Sequence, residues 1–311
     1  MRNKNISPFL TIIASSFSYS NSECKVYTVM LQIYKPSRNE RLGIKHLSQN
    51  LKNQNLRTIC QEALCPNRFE CFSHGVATFL VLGEICTRNC KFCYVKKGKP
   101  KKIDVSEPCR IAHAVKEMTL QYVVVTCVTR DDLEDGGAEV FAKTVKAIRK
   151  NSPECKIELL ISDLNGNFQA LEKIIDSKPD VLGHNIDVAK NLHKKIKPKS
   201  DYALSIRLLK KIKEIDAGMK TKSGIMLGLG ENEVDIIDTM KEIREAGVDF
   251  FTLGQYLSPS EKHARVEKFY SREEFKELER IAYQIDFEDV ASSPLTRSSY
   301  RADKLIKKLK K

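Results

Sequence analysis

No apolar run in this 311-residue chain approaches the roughly 20 residues that a membrane-spanning helix needs, which excludes a helical transmembrane protein. A convincing export signal is also missing. The first 29 residues are polar and rich in Ser and Asn, and their apolar patch at 9–13 is short and broken by Pro8 and nearby serines. A secretory leader needs a longer apolar core and a small-residue cleavage site. More ordinary sequence begins at Met30, so residues 1–34 are expected to be a disordered or non-native N-terminal extension. Ten cysteines without an export signal point to a reducing, cytoplasmic setting, where disulfides are rare. Carboxylates are in deficit: 40 Asp and Glu against 53 Lys and Arg leave a net charge of +13, with five lysines in the last eight residues, KLIKKLKK. Those lysines are not interleaved with aromatics and no nucleic-acid module accompanies them. Nucleic acid is therefore not expected, and an acidic protein partner matches the charge at least as well.

What the chain does have is concentrated cysteine. Six of the ten fall between Cys60 and Cys93, as two triplets within 34 residues. In the second triplet, Cys86, Cys90 and Cys93 follow Cys-x3-Cys-x2-Cys spacing on a loop directly after the apolar run 78–83. Three sulfurs on one tight loop can face one metal centre. A structural zinc site usually takes four ligands from paired knuckles, and cysteines this close on a small loop pair poorly as disulfides. A cubane iron-sulfur cluster normally takes four thiolates, so three would leave one iron open for chemistry. With Phe92 before the last cysteine, the motif resembles the signature of the radical S-adenosylmethionine (SAM) superfamily. That resemblance implies a catalytic [4Fe-4S] cluster on Cys86, Cys90 and Cys93. The open iron would take the amino and carboxylate groups of the cosubstrate SAM, which one electron from the cluster cleaves to a 5'-deoxyadenosyl radical.

The first triplet, Cys60, Cys65 and Cys71, has Cys-x4-Cys-x5-Cys spacing, with a short helix expected over 58–64 and a turn at Cys65-Pro66-Asn67. Standing alone it would read as a small zinc or core-cysteine element. Read together, TxCxEAxCPNxxEC and TFLVLGEICTRNCKFC resemble the lipoyl synthase family, over about residues 35–304. The resemblance implies a second, auxiliary [4Fe-4S] cluster on Cys60, Cys65 and Cys71 whose sulfides are the sulfur source. Near the C-terminus, SPLTRSSYRADK by itself is an ordinary Ser-rich turn before a basic helix. The resemblance instead implies that Ser299 is a ligand of the auxiliary cluster and Arg297 its neighbour. Arg301 stands where the family usually has histidine, and Cys127 and Thr129 stand where it usually has serine and aspartate.

Between these motifs, short apolar runs alternate with helical periodicity. Strands are expected over 78–82, 122–127, 156–161, 180–183, 223–227 and 249–253. Helices are expected from 105 to about 118 and over 138–150, 168–176, 188–196, 202–215, 233–246 and 272–285. Six βα units without hairpin signals describe an α/β fold, a partial (β/α)6 barrel of parallel strands with N-terminal and C-terminal extensions carrying the auxiliary site. An open doubly wound sheet is the competing topology, and in both the site lies at the C-terminal strand ends. The expected division is an N-terminal extension over 35–76, the barrel over 77–285, and a C-terminal extension with RSSY and the basic tail over 286–311.

Two strand-end loops invite attention. RDDLEDGGAEVF, from Arg130, is either a solvated loop and helix start or, by resemblance, a family segment. In SGIMLGLGE, glycines permit close approach to a ligand, and Gly224, Gly228 and Glu231 are expected near the cosubstrate by resemblance. His184 reads first as a hydrogen-bonded core histidine. Cys24, Cys109, Cys127 and Cys155 read as buried or incidental thiols.

The family resemblance implies radical insertion of two sulfur atoms at C6 and C8 of a protein-bound octanoyl-lysine, chemistry beyond any side-chain base. The implied partners are an octanoylated carrier domain (the glycine cleavage H protein or a 2-oxoacid dehydrogenase E2), an electron donor such as ferredoxin or flavodoxin, and cluster-assembly proteins. Two rivals stand beside this reading: another radical SAM sulfur-insertion enzyme resembling biotin synthase, and a two-cluster electron-transfer protein without substrate. The first triplet and Ser299 discriminate against the former, and cleavage of SAM against the latter.

Overall fold

Runs such as Val-Ala-Thr-Phe-Leu-Val and Tyr-Val-Val-Val-Thr have no polar face to give to water, so they form strands covered on both sides. They are β1 (Val76–Val81) and β4 (Tyr122–Cys127) of a computed structural model that describes residues 37–311 apart from 64, 66, 74, 75, 301, 308, 310 and 311. Between them lie two two-residue strands, β2 (Ile85–Cys86) and β3 (Lys96–Lys97), that pair with each other. The main sheet continues through β5 (Lys156–Leu160), β6 (Val181–Gly183), β7 (Lys220–Leu227), β8 (Phe250–Gln255) and β9 (Asp289–Ser293). All seven main strands are parallel and lie side by side in chain order, β1-β4-β5-β6-β7-β8-β9. A doubly wound sheet would reverse direction at a switch point. Right-handed crossovers that never reverse put every helix on one face, which is the arrangement of an open, partial barrel.

The strand following the last helix was not legible. Asp-Val-Ala-Ser-Ser offers one fully buried apolar side chain, Val290, and it became an edge strand, β9, inside the segment read as a C-terminal extension. The barrel therefore has seven strands where six were expected. A second difference falls at 188–196, where a continuous helix was expected. There the chain makes a bridge at Asp187 to Ile225, a 3-10 turn at Lys190–Leu192 and only one helical turn at His193–Ile196. Residues 1–34, Cys24 and Arg301 lie outside the described residues.

Among the described residues, three helices precede the sheet: α1 (Arg38–Asn53), α2 (Ile59–Glu62) and α3 (Arg68–Ser73). The outer layer comprises α4 (Glu107–Glu117), α5 (Ala138–Asn151), α6 (Phe168–Asp176), α7 (His193–Ile196), α8 (Tyr202–Ile215), α9 (Glu233–Glu245) and α10 (Arg272–Gln284). Asn232 and Asp235 form a capping box at the start of α9, as Ser271 and Glu274 do for α10, satisfying otherwise orphaned N–H groups. The larger core packs these helices on the sheet. A smaller one, of Tyr122, Val124, Val181 and Phe250, is covered by Ala302 and Leu305 of a C-terminal 3-10 helix, Ala302–Lys307. Beside it the buried Glu158 carboxylate accepts from Lys222 Nζ at 2.9 and 3.0 Å and from the Tyr122 hydroxyl at 2.7 Å. The end of the chain is thus packed against the inner face of its own barrel. No helix of the described residues is long and apolar enough to cross a membrane.

The strap leading to that helix passes so close over β8 that a Cβ on Gly254 would lie 2.1 Å from the Thr296 carbonyl oxygen. Gly254→Ala is therefore expected to cost about 1–3 kcal/mol, as overpacking does, in urea unfolding, and to expose the chain near Arg297 to trypsin under native conditions. A variant as stable and as resistant as the parent would show that the strap is not clamped at this point.

Candidate active site

The second cysteine triplet leaves β1 through a left-handed turn, with Leu82 at φ 70° and Gly83 at φ 94°. The loop is closed by the β2–β3 pair, in which Cys86 faces Lys97, and by Gly98 N donating to the Cys86 carbonyl at 3.0 Å. Its fastening to the barrel is Arg88, only 7 % exposed. Arg88 donates to both oxygens of Asp163, at 2.5 and 2.6 Å, and to Asp131 at 2.7 Å. Thr87 adds a hydroxyl bond to Asp131 at 2.7 Å and an N–H bond to the Thr129 carbonyl at 3.1 Å. Burial alone would disfavour both charges. The two carboxylates nevertheless hold the guanidinium above its ordinary range, and Arg88 holds Asp163 below the ordinary carboxylate value. Next to it, Arg130 joins the carbonyls of Leu82 and Lys101 to Asp132. The RDD segment is thus the seat of the cysteine loop.

Beneath the loop, at the C-terminal strand ends, is a cavity of about 230 Å³ whose wall includes Cys86, Cys90, Cys93, Asn185, Asp187 and Lys197. Burial pushes the Cys90 thiol up to about 12 and the Cys93 thiol up to about 11, and the neighbouring thiols push the same way. Such sulfurs become thiolates when a cation replaces their protons. Among the described residues no three are gathered tightly enough around one point to hold a single metal ion. A cubane asks for something else, since each thiolate binds its own iron at a separate corner. Two further observations fit a bound zwitterionic ligand. Lys197, 5 % exposed, pairs with Asp187 at 2.8 Å on the wall, and the buried Asn185 Oδ1 has no hydrogen-bond partner. Residues and cavity therefore fit a cluster with a polar cosubstrate.

The first triplet lies just behind this wall. Cys60 and Cys71 are each 5 % exposed; burial first, then the proximity of Cys65 and Cys71, raises the Cys60 thiol to about 12, while Thr78 on β1 hydrogen-bonds to it. Ile59, beside Cys60 in sequence, lines the cavity that holds the other triplet. The C-terminal strap closes over the first triplet. Asn67 Nδ2 donates to the Leu295 carbonyl at 2.5 Å, and the Tyr300 hydroxyl donates to the Glu70 carboxylate at 3.0 Å. Arg297, whose burial disfavours its charge, is close enough to Cys65 for that thiol to act electrostatically upon it. Ser299, half-buried, lies in the same strap between Arg297 and Tyr300. Asn185 Nδ2 donates to Ser298 Oγ at 2.6 Å, joining the strap to the cavity wall.

Other expected positions fall elsewhere. Gly224 lies within β7, where a Cβ would meet Thr252 Oγ1 at 2.0 Å. Gly228 has φ +105° and a Cβ there would meet Gln255 Nε2 at 2.3 Å. Glu231 accepts the backbone N–H groups of Gly228 at 2.5 Å and Leu229 at 2.9 Å, which closes its own loop. None of the three is among the cavity-lining residues. His184 is hydrogen-bonded in the core, through Nδ1 to the Ile161 carbonyl at 2.9 Å and Nε2 to Ser205 Oγ at 3.0 Å, and burial disfavours its charged form. Cys127 lines the cavity near Cys86, Cys155 is buried and Cys109 exposed. Arg88, Asp163, Asp187 and Lys197 carried no expectation from sequence. The signal available for them was the position of CTRNC, ISD and GHNID at or just after strand ends and of KIKPKSD between two helices.

The description "Radical SAM superfamily" belongs to the family whose profile matches residues 80–243. Lipoyl synthase of Caldanaerobacter subterraneus subsp. tengcongensis is 50 % identical over 271 residues, covering 85 % of this chain and 95 % of that protein. Lipoyl synthase of Caldicellulosiruptor saccharolyticus is 48 % identical over 265 residues, covering 85 % and 93 %. The chain belongs to the lipoyl synthase family. Among solved structures, methylornithine synthase superposes with a TM-score of 0.55 at 11 % identity over 97 % of this chain and 95 % of its own. A maturase of the [FeFe]-hydrogenase gives 0.55 at 14 % identity over 92 % and 69 %. At those identities the likeness is one of fold, and it agrees with the open barrel.

In this lipoyl synthase family member, Arg88→Met would leave the Asp163 carboxylate buried without its cation. The expected cost is about 3–5 kcal/mol at neutral pH, read by urea unfolding. Because Asp163 is held below its ordinary value of 3.8, its contribution is full above that pH and is lost as pH falls further. The gap between parent and variant should accordingly shrink below about pH 4. A gap that widens in acid would contradict the pairing.

Proposed function

We propose that this chain inserts sulfur at C6 and C8 of an octanoyl-lysine, making the lipoyl group on a carrier domain. The observation that carries this reading is the shared wall: Ile59 belongs both to the cavity of Cys86, Cys90 and Cys93 and to the segment of Cys60, Cys65 and Cys71. Sulfur transfer to an unactivated carbon requires the radical source and the sulfur source to lie on either side of one substrate position. Membership of the lipoyl synthase family and the radical SAM profile bring [4Fe-4S] clusters and SAM with them. When bound, the cluster at Cys86, Cys90 and Cys93 together with SAM supplies the one-electron chemistry that such C–H bonds demand.

The protein's own residues divide the remaining work. Arg88 fixes the loop that presents its three thiolates. Lys197 and Asp187 match the carboxylate and amino groups of the cosubstrate, and Asn185 offers its unpartnered Oδ1 as an acceptor. Burial keeps water from the reacting carbon. The cluster on Cys60, Cys65 and Cys71 is a substrate, since its sulfides are the atoms transferred, and Ser299 is its fourth ligand, with Arg297 beside Cys65 to balance thiolate charge. An alkoxide holds iron less firmly than a thiolate, so Ser299 can leave as the cluster is consumed. In this reading the segments before β1 and after β9 are extensions that build the auxiliary site on the seven-stranded barrel. The carrier is the glycine cleavage H protein or a 2-oxoacid dehydrogenase E2, the electron donor a ferredoxin or flavodoxin, the clusters come from cluster-assembly proteins, and the setting is the cytoplasm.

Anaerobic reconstitution tests the division. The parent should hold about eight irons and a variant with alanine at Cys60, Cys65 and Cys71 about four, as two cubanes require. That variant should still form 5'-deoxyadenosine from SAM and dithionite but no thiolated octanoyl-lysyl peptide. Alanine at Cys86, Cys90 and Cys93 should abolish both products. Ser299→Cys should keep the iron and slow sulfur transfer. Thiolation by the first variant would overturn the assignment of the sulfur source.

A further inference from the structure

The octanoyl-lysine arm is short and is carried by a folded domain, so the domain must sit at the mouth of the cavity. Two strongly basic segments adjoin residues of the cavity wall in the chain, one directly after Val95 and one just before Lys197. Residues 96–102, Lys-Lys-Gly-Lys-Pro-Lys-Lys, follow the last cysteine with all five lysines exposed. The second segment carries Lys194 and Lys195 on α7, also exposed, and α7 is stitched to the cysteine loop by Lys91 N donating to the Ile196 carbonyl at 2.9 Å. Two acids beside the first segment are already committed. Glu84 pairs with Arg57 at 3.1 Å and Lys96 at 3.2 Å, and Asp104 with Arg110 at 2.8 Å. Among the described residues, Lys97, Lys99, Lys102, Lys194 and Lys195 take part in no salt bridge. Within this field stand two apolar side chains left open to solvent, Tyr94 at 44 % and Val105 at 85 % exposure. Exposed apolar anchors inside a charged surround are the anatomy of a protein interface.

We infer that the rim formed by residues 94–105 and 194–195 is the docking surface for an acidic carrier domain, with lysines steering the encounter and Tyr94 and Val105 providing the contact. This rests on the octanoyl carrier being the substrate. Steering by unpaired surface charge acts on the association rate and is screened by salt.

The test uses the full, reconstituted chain with Lys99, Lys102, Lys194 and Lys195 all changed to Glu. Its control has the same charge change on the outer helices, Lys116, Lys146, Lys150 and Lys210 to Glu, all exposed. Each is assayed with an octanoylated acidic carrier domain and with a short, uncharged octanoyl-lysyl peptide. The rim variant should lose roughly 10-fold or more in kcat/KM for the domain at low salt, mostly through KM, and lose the parent's salt dependence. Peptide turnover and the control should stay at parental values. Equal performance of rim variant and control on the domain overturns the docking surface, as does an equal loss on domain and peptide. So does a rim variant that loses binding to a mixed-sequence RNA oligonucleotide while turning over the domain normally. Failure of the parent on both substrates would instead bring down the functional reading itself.

Discussion

Stripping water from a guanidinium is unfavourable by several kcal/mol unless carboxylates meet it with good geometry, and Arg88 is met on two sides. Asp163 takes it with both oxygens from beyond β5, and Asp131 takes it from beyond β4. The arginine itself stands two residues after Cys86 in the cysteine loop. This three-residue ion cluster makes the position of the thiols a property of the barrel and not of the loop. The sulfurs could not otherwise be held in a fixed place by a segment whose only regular structure is a pair of two-residue strands.

How much of this was legible depends on whether the signal was local. Strands β1, β4, β5, β6 and β8 and the second half of β7 are apolar or near-apolar runs, and their alternation with helices is enough to imply a parallel sheet. The curl of that sheet was not in any one segment; it follows from a strand order that never reverses, a property of the whole chain. β9 escaped because an edge strand needs to bury only one face, and Asp-Val-Ala-Ser-Ser does so with Val290. The cysteines announce themselves by spacing. Asp163, Asp187 and Lys197 do not, because each works through a partner 10 to 75 residues away. Glycine signals are ambiguous in another way: Gly224 and Gly228 were expected near the cosubstrate, and each is also closely approached by Thr252 or Gln255 within the protein.

The two triplets differ in what surrounds them. Cys86, Cys90 and Cys93 open onto a cavity with a charged pair on its wall, an environment suited to a polar molecule that comes and goes. Cys60 and Cys71 are sealed between β1 and a strap from the far end of the chain. In the proposed reading, the first of these sites exchanges a ligand and the second retains a cluster until it is used. The hydrogen bond from Asn185 to Ser298 connects the two, so occupancy of the cavity and the seating of the strap bear on the same residue.

That strap has a consequence for how the protein comes into being. Asn67 and Glu70 find their partners at Leu295 and Tyr300, and among the described residues Ala302, Leu305 and Leu309 pack against the inner face of the barrel. As the chain is synthesised, the early cysteines emerge well before the residues that enclose them. The loop of Cys86, Cys90 and Cys93 can be seated once Asp163 has emerged. Closure over Cys60, Cys65 and Cys71 must await the synthesis of Leu295 and Tyr300, more than 200 residues later, so the order of synthesis itself separates the two sites in time.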